Sequence, residues 1–413
     1  MQRKFFAFRH SRQVVILLSL FLLLIMNSPI TAQDTINLSV AYWGNNQEGA
    51  MIDAMLTAFE KANPTIKIER IWIPDSYEQK VTTMIAGGTP PDLVQISHTS
   101  LPGFVDAFAP VEVDASVYAS KLYTKALSYN GQLFAVPFVA KPKVMGINLD
   151  VFEAAGIPVP SADKPLTAQE FQDLAIKLSS GEGDSRIFGS APLWFGGWLF
   201  AFGNTFYNEE GTKVTIGDES AIKAAQFVID ASTKYHYAPT AVEATGQSMF
   251  DWFLSGRVAM YPDFGPWHIP LVKTSSMKWT IVPDPELGEP LEINGFGISK
   301  DTLHADAAKA LAVFLGQSEE AQNILGTSDA AAGVPVIPSA AEAFANSIPD
   351  HSLAAFLYAA QNAPVPVGNK MDKQIQDEFY REVNSRTALG TGTEDPAVVF
   401  PELQETLNAM FNQ

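Results

Sequence analysis

Between residues 36 and 96, strand-period and helix-period segments alternate, and no other feature constrains the fold as much. Residues 36–42 alternate apolar and polar side chains as a half-buried strand does, Trp43-Gly44 turn the chain, and 47–62 carry apolar residues at helical spacing. Asn63-Pro64 stop that helix and 66–73 supply a second strand. Residues 77–86 form a second amphipathic helix ended by Gly87-Gly88, and 92–96 a short third strand. This order predicts β-α-β crossovers and an α/β sheet with mostly parallel strands. Farther on, 133–139 and 144–147 read as strands, and 167–178, 221–235, 305–315, 374–383 and 401–411 as helices. Thr167 and Glu170 stand at capping-box spacing. The stretch 284–290, with two prolines and several acids, reads as a surface loop. A chain of 413 residues exceeds what one hydrophobic core usually serves, so two lobes are expected.

Residues 1–32 differ in kind. Arg3, Lys4, Arg9 and Arg12 precede an apolar stretch at 14–26 broken only by Ser19, and Asn27-Ser28-Pro29 follow. That is the pattern of a secretory signal peptide, with cleavage expected after Ala32. The stretch is shorter than the roughly 20 residues a membrane-spanning helix needs, so retention as an anchor is the lesser reading. Without the leader, 23 basic residues stand against 45 acidic ones, a net charge of −22, which makes nucleic acid a poor partner. The absence of cysteine rules out disulfides, thiolate metal sites and a cysteine nucleophile. It also removes a lipidated cysteine, so an exported chain of this kind is expected free in a periplasm-like space.

An exported protein of this size could be a hydrolase, but the common catalytic signatures are missing. There is no G-x-S-x-G elbow, no H-E-x-x-H helix, no phosphate-binding P-loop and no EF-hand loop. The five histidines beyond the leader are scattered singly, so neither a metal nor a cofactor is expected. A carboxylate pair for glycoside cleavage needs only spatial proximity, which leaves open a secreted glycan-acting hydrolase using Asp263 and a second acid, with Asp92 a candidate. Asp92 follows Pro90-Pro91 and suits a turn or cap equally well. Asp263 lies in Tyr261-Pro262-Asp263-Phe264-Gly265-Pro266-Trp267, a carboxylate among aromatic rings. Sugar hydroxyls donate to carboxylates and sugar CH faces stack on rings. Trp43, Trp194, Trp198 and Trp267 stand beside turn signals, where loops at strand ends line clefts, whereas Trp72 and Trp279 read as packing residues.

Several segments, taken in order, resemble the extracellular solute-binding protein family typified by maltose- and glycerol-phosphate-binding proteins. They are Phe59-Glu60-Lys61-Ala62-Asn63-Pro64, Ala86-Gly87-Gly88-Thr89-Pro90-Pro91-Asp92, Asn130-Gly131-Gln132-Leu133-Phe134-Ala135-Val136-Pro137, Asn148 with Val151-Phe152-Glu153-Ala154-Ala155-Gly156-Ile157, and Phe253-Leu254-Ser255-Gly256-Arg257-Val258-Ala259-Met260. The resemblance implies a two-lobed, periplasmic-binding-protein-like α/β fold of type II, with a ligand cleft between lobes and hinge crossings near 140–146, 293–297 and 333–338. The lobes are then 33–141 plus 297–335 and 142–296 plus 336–413. It further implies capture of a sugar-like solute, delivery to the membrane permease subunits of an ABC importer, and a monomeric chain without catalysis. A membrane-anchored sugar receptor is the remaining alternative. By similarity, Trp267 stacks on a sugar ring, and Tyr77, His98, Lys141, Trp194 and the backbone at Gly295 approach the solute. Ile147-Asn148 departs from the family's Tyr-Asn pair. His98 and Lys141 replace other polar types, and a cationic pair there would suit a phosphorylated or acidic solute.

Overall fold

The computed structural model describes residues 35–411, apart from 247, 328, 330–331 and 349–350. The leader at 1–32 lies outside the described residues. The chain opens as the sequence predicts, with β1 (Ile36–Tyr42), β2 (Ile66–Trp72) and β3 (Leu93–Ser97) separated by helices Asn46–Ala62 and Tyr77–Ala86. β1 runs parallel to both neighbours, with Tyr42 opposite Trp72 and Val40 opposite Leu93. The first helix starts where the Asn45 side chain accepts the N–H groups of Gln47 and Glu48, while the Glu48 carboxylate accepts the N–H of Asn45. This reciprocal cap satisfies donors that a helix start leaves free. The apolar face of that helix, including Leu56 and Phe59, meets Leu311 and Phe296 in the first-lobe core. Each such side chain contributes about 1.5–3 kcal/mol by leaving water.

The remaining strands are β4 (Ser128–Tyr129), β5 (Gln132–Leu133), β6 (Ala135–Lys141), β7 (Val144–Asn148), β8 (Phe188–Ser190), β9 (Val258–Phe264), β10 (Trp279–Val282), β11 (Glu292–Ile298) and β12 (Val334–Pro335). The first sheet has the order β12-β6-β11-β3-β1-β2 and the second β10-β7-β9-β8. Among the named strands, parallel pairing is confined to β1 with β2 and β3 and to β8 with β9; β11 lies antiparallel between β3 and β6. The expectation of mostly parallel strands therefore holds for the opening units only. The reason is the connections: β6 passes through Pro142-Lys143 directly into β7, with no helix to carry it back along its own sheet.

That passage is the first crossing, within the expected 140–146. The second crossing is the loop at 283–291 rather than 293–297, because β11 pairs along its length with β3 and β6. Residues 292–296 thus sit in the first sheet. Helix Pro338–Ala345 also stays with the first lobe, packing on helix Glu319–Thr327 and β12. The chain returns through 363–371, and helices Asp372–Arg386 and Pro396–Met410 place Phe379 and Phe400 in the second-lobe core beside Phe195 and Trp198. The last helix begins at Pro396, capped by Asp395, so Pro401 lies inside it rather than starting it. The capping box at Thr167 and Glu170 is present. A third apolar cluster, with Phe264, Trp279, Leu291 and Phe356 beside Ala41 and Ile96, packs the waist between the sheets. Among the described residues, no helix is long and apolar enough to cross a membrane.

Candidate functional site

The first crossing carries two lysines committed to different lobes. Lys141 ends β6 and lies 3.4 Å from Glu48 at the start of the first helix. Beyond Pro142, which ends the strand, Lys143 lies 2.6 Å from Asp263 near the end of β9 and 3.6 Å from Glu289 in the second crossing. Burial alone would ease the proton off Lys143, but the charges of Glu289 and Asp263 outweigh it and hold the ammonium protonated.

Two acids lie beneath this pair. Glu289 is 3% exposed, and burial pushes its carboxyl up to about 7, with Lys143 opposing the shift and Asp263 adding to it. Asp284 is 5% exposed and is held well above the usual carboxylate range, first by burial and then by the charge of Glu289. The surface loop expected at 284–290 is therefore partly interior. It spans the waist between the two sheets, where Asp284 and Glu289 face Lys143 instead of water, while Glu286 stays exposed and accepts the N–H of Ala168.

Aromatic planes border the charged pair. Trp194 occupies the N-cap position of helix Phe195–Ala201, and its ring folds over Gly196, where a Cβ would come within 2.3 Å of it. The ring is 41% exposed, with the Lys143 ammonium 4.8 Å from its centre. The Trp194 indole N–H is directed toward the Tyr380 hydroxyl on helix Asp372–Arg386, which opposes the upward shift that burial gives that hydroxyl. Trp267 sits in the single turn Pro266–His268 and lies in the same way over Gly265. That turn is fixed by the Gly265 N–H, which donates to His268 Nδ1 at 3.0 Å, and burial lowers the His268 pKa to about 4. Lys143 and Asp263 thus offer a charged donor and a charged acceptor beside ring faces, a combination that holds polyhydroxyl solutes by hydrogen bonds and stacking. Among the described residues, no group of three or more His, Cys, Asp or Glu side chains could hold a metal ion.

Of the residues singled out in the sequence, Asp263 and Trp194 meet at Lys143, and Trp267 follows in the turn after β9. Trp43 is half-buried, its ring centre 4.8 Å from that of Tyr77 and its backbone N–H donating to Gln95 Oε1. Tyr77 is interior, its one hydroxyl proton shared between the carbonyls of Ala41 and Gln95 at 3.0 and 2.8 Å, which ties β1 to β3. His98 is 3% exposed, its Nδ1 accepts the N–H of Ile293, and burial lowers its pKa to about 4. Trp198 is 4% exposed within the second-lobe core, packed on Phe171 and Phe227. Gly295 is interior to β11, close against Leu127. The cationic pair considered for His98 and Lys141 does not form, since the histidine is neutral and the lysine is paired with Glu48.

Sequence reasoning missed Lys143, Asp284, Glu289 and Tyr380. Lys143 had a signal, because a lysine just past a proline at a lobe crossing has nowhere to go but the waist. Glu289 and Asp284 had none, since acids among prolines read as solvated. Open hollows of about 380 Å³ (Thr82, Phe104, Lys300) and about 390 Å³ (Asn204, Tyr207, Glu210) include none of the site residues named above.

Comparison with known proteins agrees with this architecture. A lipoprotein of Streptomyces antibioticus is 23% identical over 280 residues, 61% of this chain and 60% of that protein, so the chain spans about three-fifths of the length of this curated relative. The ABC substrate-binding protein of Listeria monocytogenes, solved with cycloalternan, superposes with a TM-score of 0.78 at 23% identity, covering 92% of this chain and 100% of that one. The sugar-binding protein MalE of Xanthomonas citri superposes with a TM-score of 0.75 at 19% identity, covering 91% and 97%. Such likeness carries the two-lobed fold. A family model described as bacterial extracellular solute-binding protein matches residues 54–354, and the chain belongs to that family.

Proposed function

We propose that this protein captures a sugar or sugar-like solute between its lobes outside the cytoplasm and delivers it to the permease subunits of an ABC importer. The observation that carries this reading is the Lys143–Asp263 pair at 2.6 Å beside the exposed ring of Trp194. A paired ammonium and carboxylate next to a ring face supply directional hydrogen bonds and a stacking plane at a lobe crossing, where closure can shut out water. The sugar class is further supported by likeness to a protein solved with cycloalternan. Both halves of the site come from one chain, so a monomer suffices. Closure must stay a modest bias, since a solute held too firmly would not be released.

The hydrolase alternative pairs Asp263 with a second acid. Glu289 shares Lys143 with Asp263, but at 3% exposure it is not presented to a glycosidic oxygen. Intrinsic tryptophan fluorescence titrated with a panel of sugars tests the capture reading. Saturable quenching by one class without product formation supports it; turnover of a glycan, or no response to any sugar, would overturn it.

A further inference from the structure

Lys143 is the one ammonium in contact with Asp263 and Glu289, and it also faces the charge of Asp284. Three carboxylates therefore share one cation among the described residues. Asp284 Oδ1 has no hydrogen-bond donor among the described residues, and Glu289 Oε2 has only Lys143 Nζ at a long 3.6 Å, although both side chains are at least nine-tenths buried. A buried carboxylate oxygen without a donor is costly, and the usual remedies are a proton or a cation carrying N–H groups. Burial holds both carboxyls above their ordinary range, so each keeps a proton more readily than an exposed acid does. The ring of Trp194 already faces one ammonium at 4.8 Å and keeps 41% of its surface exposed, which suits a second cation at its face. An anionic solute would meet the Asp263 carboxylate on a Lys143 already committed to it, while Lys141 is bound to Glu48 and His98 is neutral.

We propose that the captured solute carries a protonated amino group, as an amino sugar does, seated against the half-exposed Asp263 beside Trp194, with buried Glu289 acting on it through the shared Lys143. This rests on the capture reading above and specifies its ligand. The ammonium brings a second cation to three carboxylates that share Lys143, and its charge eases a proton off Glu289. A hydroxyl at the same place donates one hydrogen bond and brings no charge.

The test is calorimetric titration at pH 7 with sugars that differ in one substituent: glucose and glucosamine, galactose and galactosamine, mannose and mannosamine, cellobiose and chitobiose. At least one amino member should bind at least tenfold more tightly than its hydroxyl partner. Its binding heat should vary with the ionisation heat of the buffer, reporting proton release. In Glu289→Gln the within-pair ratio should fall to below threefold, and Asp263→Asn, at a half-exposed position that tolerates substitution, should lower it likewise. Hydroxyl members binding as well as amino members overturn this inference and leave sugar capture standing, as does a ratio unchanged in both variants. No binding by any member overturns both.

Discussion

Lys143 Nζ lies 2.6 Å from Asp263 Oδ1, joining the first crossing to the end of β9. Because the same ammonium also faces buried Glu289 at 3.6 Å, removing it leaves more than one carboxylate uncompensated. Lys143→Met is expected to destabilise the fold by about 1–3 kcal/mol, discounted for the partial exposure of the pair. Glu289 can relieve part of the loss by holding a proton. Urea unfolding should therefore find a larger loss at pH 8 than at pH 6, and equal losses would mean that Glu289 is not coupled to this lysine.

Glu289 also gives stability a pH dependence of unusual sign. Its folded pKa of about 7 exceeds the ordinary 4.5, so between those values the folded state binds more protons than the unfolded state. Its contribution to stability falls as pH rises through that window and levels off above it. His98 and His268 act oppositely: both are near 4 folded against 6.5 ordinarily, so stability gains as pH rises from 4 to 6.5. Glu289→Gln removes only the first effect. Between pH 5 and 8 the variant should gain on the order of 3 kcal/mol relative to wild type. Parallel unfolding curves across that range would refute the assignment.

The tryptophans should separate by role. Trp194→Ala and Trp267→Ala are expected to weaken solute binding more than tenfold while shifting the melting temperature by only a few degrees, since neither ring belongs to an apolar core cluster. Trp198→Ala should instead cost about 3–5 kcal/mol of stability, because its ring is enclosed by Phe171 and Phe227. Thermal melts beside fluorescence titrations distinguish the two patterns.

Tyr77→Phe should lower stability by about 1–3 kcal/mol through loss of the hydroxyl that serves the Ala41 and Gln95 carbonyls. Solute affinity should change little. A large loss of affinity in a variant of normal stability would return Tyr77 to the cleft.

The amino-acid sequence by itself determined the local elements and most of their ends, because periodicity, caps and breakers act over a few residues. The opening β-α-β units, the Thr167 cap and the Trp-bearing turns are of this kind. Resemblance of short segments in order was enough to expect two lobes. Tertiary structure alone decided which strands share a sheet. β11 enters the first sheet antiparallel, because pairing depends on backbone groups far apart in sequence, such as Asn294 with Ser97. It also decided the electrostatics of the site. Asp263 was legible as a carboxylate among aromatic rings, but its partner Lys143 and the acids Asp284 and Glu289 come together only where two crossings meet. Whether a charged side chain is solvated or buried depends on what the fold places over it, so 284–290 reads as a loop in water and lies partly in the waist of the molecule.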